Sequence, residues 1–268
     1  MSFPPIIFDI IRWLTMLILV GGVVAGLGIG CLFLTRRARA NRWTNLLFAL
    51  LLLSFSLTLL DKFFTYSSWA SRHSKLASLP IYLSFALGPL LFFYVKSRLY
   101  PQHFKMKKAD FKHFILPTVQ FVLLSWVGVQ DANVKSAFQT HFFSPFYGNF
   151  EKAVFMTQFF LYLYFSYRFV LHEKESLSIK AKTGEKRVKN PDFRRQILVV
   201  GWLKRMVKVL FIIFGVHAVF ILMDYFSYKI FDVNLQTKAL FPAFYELSFE
   251  AMLLWLILNA FFAWRRGL

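Results

Sequence analysis

Long apolar runs alternate along the chain with short, densely basic stretches. The runs cover roughly residues 12–35, 43–60, 79–97, 113–130, 152–171, 206–228 and 245–264. Each is close to the ~20 residues that an α-helix needs to cross the hydrocarbon of a bilayer. Within a run the apolar residues are continuous and do not alternate, whereas the strands of a membrane barrel must alternate. Backbone groups in lipid must also be satisfied within the segment. The pattern therefore predicts seven membrane-spanning helices. The first run is too long for the core of a signal peptide and leads into RRARANR instead of a small-residue cleavage site, so a retained helix is expected.

Composition strengthens this reading. The chain is 57% hydrophobic and only 17% charged, and it holds 35 Phe, too few charges to cover a soluble surface. The fold class expected is all-α, a single polytopic membrane domain over residues 1–268.

Charge then orients the helices. Arg36, Arg37, Arg39 and Arg42 follow the first span, and Lys96, Arg98, Lys105, Lys107, Lys108 and Lys112 flank the third loop. A basic stretch at 172–198, with Arg194 and Arg195, follows the fifth span, and Arg265 and Arg266 follow the last. Acids favour the other side, so the whole formal net charge of +19 falls on one face. By the positive-inside rule that face is cytoplasmic, with the N-terminus outside and the C-terminus inside. A pI near 10.1 is also the footprint of nucleic-acid binding. Here the charge is read as setting topology and touching anionic lipid, at about 1 kcal/mol per basic residue, and no direct nucleic-acid binding is expected. The stretch 172–198 is expected to be a cytoplasmic loop, polar and broken at Gly184 and Asn190. From Pro191 a basic amphipathic turn or two would begin the sixth helix, with Asn190 as its cap. A membrane-surface anchor and a docking face for a cytoplasmic partner both fit it.

Signals for chemistry are sparse, and the reading is of a protein that is not an enzyme and holds no cofactor or metal. The single Cys31 forms no pair within the chain. His73, His103, His113, His141, His172 and His217 are scattered, with no HExxH. The first span contains GGVVAGLGIG, but no strand precedes it, so it is no dinucleotide loop. Gly22, Gly26 and Gly30 instead give a smooth ridge for close helix packing. On the outer side Asp61 closes the second span, Asp224 lies near the end of the sixth, and Glu246 and Glu250 share a face of the seventh. With His217, the one histidine within a span, these five could line a pocket for a cationic ligand, a metal ion or a proton path. The bland alternative is that each acid sits in the headgroup layer and pairs with Lys62, Lys229 or Lys238. The last span, SFEAMLLWLILNAFFAW, has no lysine for a retinal Schiff base. Gly88-Pro89 interrupts the third span and Pro117 stands one turn into the fourth, without the matching later breaks that a transporter's repeats would show.

One stretch is more specific: LGPLLFFYVKSRLYPQHFKMKKADFKHFILP, Leu87 to Pro117. Its Gly88, Pro89, Leu90, Tyr94, Lys96, Ser97, Asp110, His113, Phe114 and Pro117 resemble the seven-helix membrane regions that precede AraC-type DNA-binding domains in certain Gram-negative bacterial regulators. The resemblance implies a signalling module of the bacterial inner membrane. In those regulators the last helix leads into a linker and two helix-turn-helix motifs, whereas this sequence ends at AWRRGL. Two expectations follow: a piece of a longer regulator, or a stand-alone relative whose output passes through another membrane or cytoplasmic protein. An accessory subunit of a larger membrane complex, and a small transporter or membrane enzyme using the outer acids, are the alternatives from other classes.

Overall fold

The computed structural model describes residues 5–35, 42–67, 82–101, 104–182, 191–238 and 240–265. Among them the α-helices are α1 (Pro5–Thr35), α2 (Arg42–Tyr66), α3 (Leu87–Leu99), α4 (Ile115–Gly128), α5 (Ala132–Ala137), α6 (Gly148–Lys182), α7 (Pro191–Phe231) and α8 (Phe241–Arg265), with no strand. A 3₁₀ turn at Ser84–Ala86 and a seven-residue 3₁₀-helix at Lys108–Phe114 lead into α3 and α4, and Phe138–Tyr147 winds as a π-helix into α6.

Among the described residues six helical segments are long and apolar enough to cross a membrane: Asp9–Thr35, Arg42–Tyr66, Lys108–Gly128, Phe150–Lys182, Pro191–Phe231 and Phe241–Ala263. They mark a multi-pass membrane protein. The third expected span, 79–97, is the exception, because α3 has 13 residues. A helix of that length is more often a buried core element than a lipid-facing span, and α3 is buried along most of its length.

Packing explains how so short a helix persists. α1 lies on α2 and α8, α2 on α3, α3 on α6, α6 on α7, and α7 on α8, which closes a ring of six helices. Rings of Phe fill its centre: Phe55 lies 6.2 Å from Phe159 and 5.6 Å from Phe249, and Phe159 lies 5.0 Å from Phe214. These are edge-on or tilted pairs, the arrangements that aromatic quadrupoles favour. Outward faces stay apolar, with Trp13 and Leu17 about 70% exposed, as suits a surface solvated by lipid. α4 lies against the outside of the ring and turns only Pro117, Gln120, Leu124 and Val127 inward.

Two expectations need correction. Residues 172–182 are not a loop, since α6 runs on to Lys182, while α7 starts at Pro191 as expected. HEKESLSIKAK is polar but rich in helix formers, and Leu177 and Glu173 are buried on its inner face. Gly184 and Asn190 lie outside the described residues. Second, Pro89 does not break a helix. It stands in the first turn of α3, where a missing N–H is tolerated, and the Phe85 carbonyl that it leaves free accepts from Gln158 Nε2 at 3.1 Å. Between the fourth and fifth spans the chain is helical, in α5 and the π segment.

Candidate functional site

The start of α3 is a polar node inside an apolar bundle. Ser84 and Phe85 enter the ring before regular α-helical bonding begins, so their polar groups need partners from neighbouring helices. Glu151, in the first turn of α6, supplies a carboxylate. It accepts from Ser84 Oγ (2.8 Å), Tyr82 Oη (3.0 Å) and Gln120 Nε2 (2.8 Å). Gln120 also donates to Ser84 Oγ and accepts from the Phe85 N–H at 3.3 Å. Glu151, Ser84 and Gln120 are all buried, so the node ties α3, α4 and α6 together where water cannot substitute for a lost partner.

Next to the node lies a cavity of about 350 Å³. Thr58, Asp61 and Lys62 of α2 line it from one side, Ser84 and Glu151 from another, and His217, Tyr245 and Phe249 close it. Lys62 Nζ pairs with Glu246 Oε2 at 2.9 Å and stands over the rings of Tyr245 (4.8 Å) and Phe249 (5.1 Å), which holds a cation in apolar surroundings. His217 is buried, and its Nδ1 donates to Ser248 Oγ at 2.8 Å. The Ser248 hydroxyl in turn donates to the Tyr245 carbonyl at 2.7 Å, which fixes the proton of His217 on Nδ1.

The four acids and the histidine singled out in the sequence therefore separate. Asp61 and His217 line the cavity, and Glu246 reaches it through Lys62. Asp224 does not line it, and accepts from Gln236 Nε2 at 3.0 Å on the surface. Glu250 also points elsewhere: it is buried against α1, and neither carboxylate oxygen has a hydrogen-bond partner among the described residues. It occupies the space over Gly22, where a β-carbon would collide with it. Gly26 takes Ser56 and Leu253 in the same way, and Gly30 takes Leu53.

At the opposite end of α3, Tyr100 Oη donates to Glu173 of α6, which also accepts from Gln196 Nε2 of α7 at 3.2 Å. Burial, with the Glu173 carboxylate beside it, pushes the Tyr100 hydroxyl up to about 12, so it remains a donor. α3 is thus fastened at both ends to glutamates of one helix.

Two residues of the Leu87–Pro117 motif, Gly88 and His113, meet Tyr162. Gly88 lets this ring lie on α3, since a β-carbon there would stand 2.6 Å from Tyr162 Cδ2. His113 Nδ1 meets Tyr162 Oη at 2.7 Å. Tyr94 is buried with its ring 4.6 Å from Phe48, and Lys96 Nζ lies 5.9 Å from the Phe93 ring. Asp110 Oδ2 accepts from the Lys107 N–H at 2.8 Å and caps the turn into α4. Lys105, Lys107 and Lys108 lie on the linking segment, at the end of the bundle marked by Tyr100; Arg194 and Arg195 stand on the first turn of α7.

Sequence reasoning missed Glu151, Tyr82, Ser84 and Gln120. The one signal was a charge at the head of a strongly apolar run. No protein-family profile, no curated protein and no solved structure matches the chain.

Proposed function

We propose that the chain is a non-enzymatic, seven-helix sensor of the bacterial inner membrane, with its N-terminus outside. A small ligand in the Asp61–His217 cavity changes how α3 sits against α6. A partner protein reads the change at the cytoplasmic face formed by Lys105, Lys107, Lys108, Arg194 and Arg195. The observation that carries this reading is the double fastening of α3, to Glu151 beside the cavity and to Glu173 at the far end. A change in the bonds at one end has a rigid element through which to reach the other. The ligand must bind one arrangement of α3 better than the other, or it shifts nothing.

The fastening also supports counting α3 as a crossing. Glu151 and Glu173 are 22 residues apart on α6, about 33 Å at 1.5 Å per residue, which is a full hydrocarbon thickness. The likeness of Leu87–Pro117 to the membrane regions of AraC-type regulators supports a signalling role.

The test is purification of the tagged chain from its own membranes in gentle detergent, with mass spectrometry of everything that accompanies it. A lone protein, or one carrying a small molecule or a cytoplasmic regulator, is the expected result. A stoichiometric membrane partner that no small molecule displaces would instead make the chain an accessory subunit. Loss of turnover or transport in a folded Asp61→Ala, His217→Ala variant would make it a transporter or enzyme.

A further inference from the structure

Resting on the reading of that cavity as a ligand site, the geometry points to the ligand's chemistry: a small organic cation, a protonated amine carried on an apolar or aromatic body. The argument comes from which polar groups around the cavity already have partners. Apart from the Tyr245 hydroxyl, its buried side-chain donors are engaged. Lys62 is held by Glu246 and two ring faces, the Tyr82 and Ser84 hydroxyls donate to Glu151, and the Thr58 hydroxyl donates to the Ser54 carbonyl at 2.8 Å. The other groups left over are acceptors. The Asp61 carboxylate lines the cavity without a hydrogen-bond donor among the described residues. His217, only 2% exposed, also lines the cavity and turns Nδ1 to Ser248.

A ligand that brings N–H groups and positive charge is therefore favoured, because a carboxylate or phosphate would face the Asp61 and Glu151 carboxylates. Lys152 is exposed at the rim, where water screens it. Buried walls from Phe155 and Phe249 suit an apolar body and favour a cation over their faces. The cavity is at the small end of ligand sites, which run from about 300 to 1,000 Å³.

Three probes that share one ring and differ in the head group test this on the full chain in lipid nanodiscs at pH 7: 2-phenylethylamine, 2-phenylethanol and phenylacetate. Titration calorimetry is expected to show the amine binding at least about tenfold more tightly than the alcohol, the scale of one charge-assisted hydrogen bond, with no binding of phenylacetate. Asp61→Asn should abolish the preference for the amine, while Asp61→Glu keeps part of it. Should Asp61→Asn fail to fold, the ratio of amine to alcohol on the unaltered chain still decides. Equal binding of the alcohol, or binding of phenylacetate, overturns the amine assignment and leaves a ligand-gated sensor standing. Absence of binding by all three overturns the assignment too. The sensor reading itself fails through the undisplaced stoichiometric complex, or through turnover or transport that the folded Asp61→Ala, His217→Ala variant loses.

Discussion

Tyr162 has no room to retreat from a methyl group at Gly88, because its Cβ and Cγ already lie 3.3 and 3.2 Å from where that methyl would stand. Such overpacking destabilises by roughly 1–3 kcal/mol. Gly88→Ala should therefore lower the unfolding temperature in detergent, and should also loosen the His113–Tyr162 bond. Gly28→Ala is the control, since nothing lies within 4 Å of the added atom, and it should unfold at or above the temperature of the unaltered chain. Gly22→Ala should be milder than Gly88→Ala, because the colliding group is the far end of the flexible Glu250 side chain. At this scale the sequence was partly legible. A Gly-Pro in an apolar run and glycines four apart announce close approach, and they do so without naming the partner. Glu151 was not legible, because a glutamate at the head of a span looks the same whether it meets headgroups or three buried donors. Glu151→Ala leaves Tyr82, Ser84 and Gln120 without their acceptor, at about 1–3 kcal/mol for a buried group left unpaired. It should therefore lower the unfolding temperature more than alanine at the surface residue Asp224.

Among elements, α6 and α7 depart furthest from what hydropathy indicates, with 35 and 41 residues against the ~20 that a bilayer requires. Hydropathy marks only the part of a helix that lipid must accept. The continuation into water is held by propensity and by a few buried residues such as Leu177 and Phe193, a signal too dilute to stand out in one sequence. Hydrogen exchange checks this directly: amides of 174–182 and 195–205 should be protected, and rapid exchange throughout would restore the loop. The Tyr100–Glu173 fastening belongs to the same scale and carries a pH signature. In the folded chain the phenol titrates near 12 against an ordinary 10.0, so folding favours its protonated form. That contribution is complete below pH 10 and is lost as pH rises from 10 toward 12. Tyr100→Phe should lower stability at pH 8 and remove this alkaline component from the unfolding profile, whereas an identical profile in the variant would mean that the bond contributes nothing.

For the whole molecule, the ring of six helices includes the short α3 and leaves out the longer α4, an arrangement that no count of apolar runs reveals. Whether α3 crosses the bilayer decides the topology of everything after it. Without that crossing, α4 would return the chain to the cytoplasm, and the eight residues between α6 and α7, with the basic turns on either side, would lie outside, against the positive-inside rule. With it, every strongly basic stretch falls on the cytoplasmic side, and the polar cavity opens toward the other. The two topologies are separated by labelling single cysteines in a Cys31→Ser background with a membrane-impermeant maleimide. In the seven-crossing topology, Val134→Cys is labelled in intact cells, while Lys107→Cys and Ser178→Cys are labelled only after permeabilisation. A six-crossing chain gives the reverse at all three positions. That outcome would put Asp61 and Glu151, which line one cavity, on opposite sides of the bilayer and remove the route from Glu151 to Glu173 as a path across the membrane. The expected pattern instead makes the buried helix between those two glutamates the part of the molecule that connects its two sides.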